Sequence, residues 1–298
     1  MKKEPSLSNN NPVKTSLYLD YSEWAINKSN IPDGIVFAGI IIDNLSLVNL
    51  FNEISRIKEQ IRSPFNNMPN LPLKWCFGDL KRYYEENNQT NLYNILHKKR
   101  ISWLTQISDI LQNIPFKFII SIIKCHAKHK DALKKTKDKV IQFAFSNCLM
   151  KFGLYIKQNN LYLAEVVVDW PQRGNKEIYE EEYRTGFYYG KSANYGVRYK
   201  CGPLKDLGFS DSLFFSSTNE CSVLQITDII AGAFKDILKG GLSSKDARIG
   251  NEFIRNIKSK LHGAPNNLNY GIAIAPPKKE DPAFYNSMWY IIKNRIFN

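Results

Sequence analysis

The 298 residues, 43% hydrophobic and 13% aromatic, suffice for one large domain or two small ones with a sizeable core, and no apolar run approaches the ~18 residues that span a membrane. A net charge of +13 admits nucleic acid or another polyanion as partner, although a lysine-rich composition also serves solubility. Cys76, Cys125, Cys148, Cys201 and Cys221 are odd in number, widely spaced and without a C-x-x-C pair; this excludes a disulfide framework and a structural zinc site and predicts a reducing, cytoplasmic setting.

Residues 1–14 are polar and Asn-rich and lack an apolar h-region, so a disordered lead-in is expected there rather than a signal peptide, with residues 15–298 as a single domain. Ser16 to Leu19 reads as a short strand ending in Asp20, and Gly34 to Ile42 as a second, nearly continuous apolar strand that forms a hairpin with it. Leu47, Leu50, Phe51, Ile54, Ile57 and Ile61 recur at helical spacing before the Pro/Asn-rich loop Ser63 to Pro72. Leu73-Lys74-Trp75 follows. Leu92 to Leu111 is predicted as one helix, Phe116 to Ile123 as a third strand, and Lys128 to Leu154 as a helix opened by a lysine run.

Leu161 to Asp169 is predicted as the fourth strand, with Trp170-Pro171 stopping it. Residues 172–205 read as an irregular insertion rich in Tyr, Lys and Arg. Leu213 to Phe215 makes a fifth strand, and Ser222 to Leu238 a helix ended by Gly240-Gly241. A helical extension from about residue 243 spans Lys245 to Leu261 and Phe284 to Ile296, with the short apolar stretch Gly271 to Ala275 between. The class is therefore α/β, a mixed five-stranded sheet flanked by helices.

Three acids stand out. Asp20 and Asp169 each close an apolar strand, and in α/β sheets functional groups collect beyond the carboxyl ends of strands. Asp228 interrupts the segment Val223 to Phe234, apolar almost all round and so predicted to be buried. A charged Asp there needs a partner or a metal, and Gln225 shares its helical face. Each has a plainer reading: turn caps for Asp20 and Asp169, a buried ion pair for Asp228. Taken together, three carboxylates make a hard-oxygen site suited to Mg2+ or Mn2+, of the kind that flanks a phosphodiester with two ions.

The order strand–Asp20, hairpin, strand, strand–Asp169, helix–Asp228 is similar to the ribonuclease-H-like fold. More narrowly, Leu19-Asp20-Tyr21-Ser22, Lys74-Trp75, Val168-Asp169 and Gln225-Ile226-Thr227-Asp228 resemble the motifs of the bacterial domain of unknown function 3800 family, over about residues 15–240. The resemblance implies a metal-dependent nuclease acting on DNA or RNA, in a family associated with bacterial defence and mobile elements. Asp20, Asp169 and Asp228 would bind metal, Lys74 would orient a phosphate or the attacking water, and Gln225 would support them. Tyr21 departs from the family by replacing an acid, and Glu23 stands where Gly is usual, so either Glu23 is a substitute ligand or the site has one ligand fewer. The competing readings are a nucleic-acid-binding or regulatory protein with a degenerate site, and the effector half of a defence pair controlled by a protein partner.

In the insertion, Tyr179, Tyr183, Phe187, Tyr188, Tyr189, Tyr195 and Tyr199 interleave with Arg173, Lys176, Arg184, Lys191, Arg198 and Lys200. Stacking platforms among cations suit single strands; packing of the aromatics on the domain is the plainer alternative. Arg173, Arg184, Lys191 and Arg198 are the substrate-binding candidates. Cys125, His126 and His129 lack a fourth zinc ligand nearby and read, with the Lys128–Lys139 run, as a solvated helix start.

Overall fold

The computed structural model describes residues 13–26, 32–62, 71–125, 130–171, 175–194, 196–243 and 246–298. Its centre is a mixed sheet of six strands in the order β5-β4-β1-β2-β3-β6. The strands are β1 (Thr15–Trp24), β2 (Gly34–Asp43), β3 (Lys117–Lys124), β4 (Ala164–Asp169), β5 (Phe214–Ser216) and β6 (Ile272–Ala275). β1, β2 and β3 form an antiparallel meander, while β4 runs parallel to β1, β5 to β4, and β6 to β3. The expected hairpin is present. The sheet has one strand more than the expected five: β6 is too short to show alternation in sequence and is recruited by the edge of β3.

β2 is buried along nearly its whole length because helices cover both faces of the sheet, which is why its sequence is continuously apolar rather than alternating. On one face Val36, Ala38, Ile40 and Ile42 pack with α1 (Asn44–Arg62), α4 (Arg100–Asn113), α7 (Ser222–Ser243) and α8 (Arg248–Ile257). On the other, Leu17, Leu19, Ile35 and Phe37 pack with α5 (Lys130–Gln158) and α6 (Glu177–Tyr189).

Several boundaries differ from expectation. The predicted helix Leu92 to Leu111 is two, α3 (Thr90–Lys98) and α4, separated by the single residue Lys99; α2 (Phe77–Glu86) precedes them. The insertion is not irregular but is built on α6. α7 continues through Gly240 and Gly241 to Ser243. Gly241 permits a close approach instead of ending the helix: a Cβ there would lie 2.6 Å from Ile291 Cγ1 on α9 (Pro282–Ile292). A π turn, Lys293–Phe297, follows α9. Most of the lead-in lies outside the described residues. Among the described residues no helix is long and apolar enough to cross a membrane.

Gly34 pairs with Trp24 at the loop end of the hairpin, where a Cβ would fall 2.1 Å from Trp24 Cζ2 and 2.8 Å from the Ile123 carbonyl oxygen. Gly34→Ala is expected to destabilise by about 1–3 kcal/mol, the usual range for overpacking. Gly78→Ala in α2, whose added methyl would meet only Cys76 Sγ at 3.9 Å, is expected to be neutral or to stabilise by about 0.4–1 kcal/mol. Urea unfolding of the two variants checks both signs.

Candidate functional site

β1 does not end at Asp20 as the sequence suggested. It runs on to Trp24 because β2 pairs with it along its full length. β4 stops sooner. Its pairing with β1 closes at Leu19 against Val168, so the next residues, Asp20 and Asp169, stand side by side where the parallel ladder ends. Side chains alternate across a sheet. Leu19 and Val168 face α5 and α6, which turns Asp20 and Asp169 toward α7. Ala38, opposite Asp20, leaves room on that face.

Thr218, in the turn between β5 and α7, joins the pair. Its backbone N–H donates to Asp169 Oδ1 at 2.7 Å, and its hydroxyl to Asp20 Oδ2 at 3.4 Å. Asp20 Oδ1 also accepts the Tyr21 N–H at 2.7 Å. Asp20 is 7% exposed.

The third acid comes from α7, buried along most of its length as its composition requires. One stripe of this helix, Gln225, Asp228, Gly232 and Asp236, receives the extended segment 71–76. Leu73 N–H donates to Gln225 Oε1 at 3.3 Å, and Trp75 N–H to Asp228 Oδ2 at 2.7 Å. The Trp75 indole lies on Gly232, where a Cβ would be 2.3 Å from its Cγ, and its Nε1–H donates to Asp236 Oδ2 at 2.7 Å. Arg100 covers the outer side, 4.8 Å from the Trp75 ring centroid, with a hydrogen bond to the Trp75 carbonyl. Lys74, held between two anchored neighbours, is half-buried.

The electrostatics tie these groups together. Burial raises the Asp20 carboxyl well above its ordinary range, and the charges of Asp169 and Asp228 raise it further; the Tyr21 N–H and Lys74 oppose the shift. Asp169 is raised by burial against hydrogen bonds from Thr218 and the charge of Lys74. Asp228 is pushed up to about 6 by burial, against the Trp75 N–H and Lys74, with Asp169 and Asp79 adding to the rise. Lys74 thus acts on all three acids, and one ammonium does not balance three carboxylates. The donors are hard oxygens, and their mutual repulsion is what a divalent cation would relieve. They are not a preassembled cage: among the described residues no three His, Cys, Asp or Glu side chains are already grouped to hold an ion. Asp20 and Asp169 form the closed pair, and Asp228 is turned to the Trp75 amide.

The remaining candidates are sorted by the fold. Gln225 belongs to the site as a support for segment 71–76, its Nε2 donating to the Asn219 carbonyl at 3.2 Å. Glu23 does not join it. It lies on the α5 side of β1 with Tyr21 and pairs with Lys137 at 2.5 Å. Arg184, Lys191 and Arg198 are exposed, but they belong to α6 and the bridge after it, on the sheet face opposite α7. Arg173, Tyr195, His126 and His129 lie outside the described residues. The stacking platform is corrected for the aromatics that can be placed in the core: Tyr179, Tyr183, Phe187 and Tyr199 pack beneath α5 and the sheet, leaving Tyr188 and Tyr189 exposed. Sequence reasoning quoted Trp75 only as part of the Lys74-Trp75 motif, without a role, and missed Thr218, Gly232 and Asp236 as residues of the site. The spacing Asp228, Gly232, Asp236 on one helical face was the available signal, since it places a gap between two acids where an indole can sit.

Asp228 binds its proton more tightly folded than unfolded. Between the ordinary value of 3.8 and about 6 the native state holds more protons, so stability falls as pH rises through this window. In metal-free buffer Asp228→Asn is expected to flatten that decline and to exceed the parent at pH 8 by on the order of 1–3 kcal/mol. Thermal unfolding from pH 4 to pH 8 measures it; a variant no more stable than the parent at pH 8 contradicts the account.

No protein-family model, curated protein or solved structure matches the chain, so a functional reading rests on the residues of the site itself.

Proposed function

We propose that the chain is a metal-dependent nuclease of ribonuclease-H-like architecture, kin to the domain of unknown function 3800 family. The observation that carries this is the pairing of Asp20 and Asp169 on adjacent parallel strands, bridged by Thr218, with Asp228 of α7 and Lys74 acting on both. The order of elements supports it: a central strand with the first acid, a hairpin, a third strand, a parallel strand with the second acid, then a helix with the third.

In this reading Asp20 and Asp169 would hold Mg2+ or Mn2+, with Asp228 as the third carboxylate beside them. Bound there, the ions would stabilise the attacking and leaving oxygens of a phosphodiester displacement. Thr218 fixes the spacing of the first two carboxylates. Lys74 offers its ammonium to a phosphate oxygen or orients water beside it, and segment 71–76 holds it there through Trp75. The free thiols of all five cysteines are compatible with a reducing compartment. The hydrogen bond from Trp75 to Asp228 also favours a second reading, a nucleic-acid-binding protein in which that acid has become purely structural.

Labelled single-stranded and duplex DNA and RNA, incubated with Mg2+, Mn2+ or EDTA, decide between them. Cleavage is expected only with metal, and Asp169→Asn is expected to reduce it at least about 10²–10³-fold, the scale of losing one preorganised electrostatic group, while binding persists. Mn2+ is expected to raise the melting temperature of the parent but not of Asp20→Asn, because a ligand stabilises only the state that binds it. Undiminished cleavage by Asp169→Asn rejects the site. Binding without cleavage on every substrate selects the second reading.

A further inference from the structure

The end of the sheet remote from the acids is basic. α5 begins beside them: Lys137 pairs with Glu23 and the charge of Asp138 bears on Tyr21. From Asp138 to Lys151 the helix rises about 20 Å, and there it meets the segment that follows α8. Lys151 Nζ donates to the Asn269 carbonyl, Lys117 Nζ to the Ser259 carbonyl at 3.2 Å, and Lys260 Nζ to the Ile114 carbonyl at 2.8 Å. These ammonium groups are held by neutral carbonyls, so their charge is not cancelled, and each keeps further donors for a ligand.

The charges act on one another. Lys151 is lowered to about 8 by burial, with Lys200 adding to the fall. Lys260 is lowered by burial and Lys117, and His262 by burial, Lys117 and Lys151. Asp43 is the carboxylate whose charge reaches Tyr155 nearby, and it is engaged in capping α1 through Ser46. Aromatic rings accompany the cations. His262 lies between Tyr155 and Tyr270, with centroids 5.2 Å and 5.8 Å away, and Tyr270 is 47% exposed. Beside them a cavity of about 650 Å3 is lined by Lys258, Pro265, Leu268, Tyr290, Lys293 and Phe297, among others.

We propose that this surface docks single-stranded nucleic acid, with phosphates on Lys117, Lys151, Lys258, Lys260 and Lys293 and bases on Tyr270 and in the cavity beside Tyr290. Cations that track a backbone among exposed π-faces are the recurring means of holding single strands. A flat basic surface for duplex would not need the cavity. The partner class rests on the nuclease reading, and this surface takes the role that sequence reasoning gave to the insertion. A strand held here must run on the order of 20 Å, the rise of α5 from Asp138 to Lys151, to reach the level of Asp20 and Asp169.

The test is binding of a fluorescent 20-nucleotide oligothymidylate to the full chain in EDTA, across a salt series. Lys258→Gln combined with Lys293→Gln removes two exposed cations that make no described hydrogen bond, and is expected to weaken binding and lower the log–log salt slope by about 1.4, at ~0.7 per phosphate contact on single strands. Tyr270→Ala is expected to weaken binding with the slope unchanged. Arg184→Ala combined with Lys191→Ala removes the same charge from the insertion and is expected to change neither. The proposal is overturned if the patch variant keeps the parent's affinity and slope, if the insertion variant loses as much, or if anionic phospholipid vesicles bind and the oligonucleotide does not. Binding lost with the patch while no substrate is ever cleaved upholds this proposal and removes the nuclease reading. Cleavage that survives in the patch variant at full rate on a limiting substrate does the reverse.

Discussion

The seat of Trp75 on Gly232 is the contact on which the site depends. A side chain of any size at Gly232 would displace the indole, and with it the N–H that satisfies Asp228 and the backbone that presents Lys74. Asp228 is a carboxylate on a buried helix, and such a charge persists only where donors and a cation meet it. The segment 71–76 supplies both. The same segment gains its conformation from α7, through Gln225, Asp228 and Asp236. Neither element is well placed without the other, so the acidic site and the packing of α7 form one cooperative unit.

The strands and the long helices were legible because their signals are local. The continuous apolar run of β2 announces a strand covered on both faces, and the i, i+3, i+4 pattern of α1 announces one buried stripe. What failed was decided at a distance. β6 exists because β3 offers it an edge, which nothing in Ile272 to Ala275 declares. Asp20 looked like a strand end because the apolar run stops there; the strand continues since β2 pairs onward on the side away from the acid.

The candidate site was legible in part. Asp20, Asp169 and Asp228 were readable as acids set against apolar surroundings, with Gln225 on the face of Asp228, and Lys74 only through the family resemblance; the fold brings them to one face of one sheet end. Glu23 failed on parity: three residues beyond Asp20, it must point to the opposite face. Thr218 was invisible because a threonine in a turn carries no pattern, and its role comes only from β5 lying beside β4. The aromatics of the insertion misled by composition. A helix that lays Tyr179, Tyr183 and Phe187 into the core has the same residues as a stacking surface, and helical spacing alone separates the two.

Both borders of the sheet are formed by its shortest strands, β5 with three residues and β6 with four. The run Gly34 to Ile42, with its β-branched residues and no charge, is the kind of segment that templates intermolecular cross-β pairing when it is uncovered. It sits instead between β1 and β3, with Gly34 to Ile41 paired on both sides, and the rims that solvent can reach are too brief to recruit another chain. Colloidal behaviour therefore separates from fold stability. A change that loosens the short rims would leave this run covered so long as the meander holds, whereas partial opening of β1 from β2 would expose it.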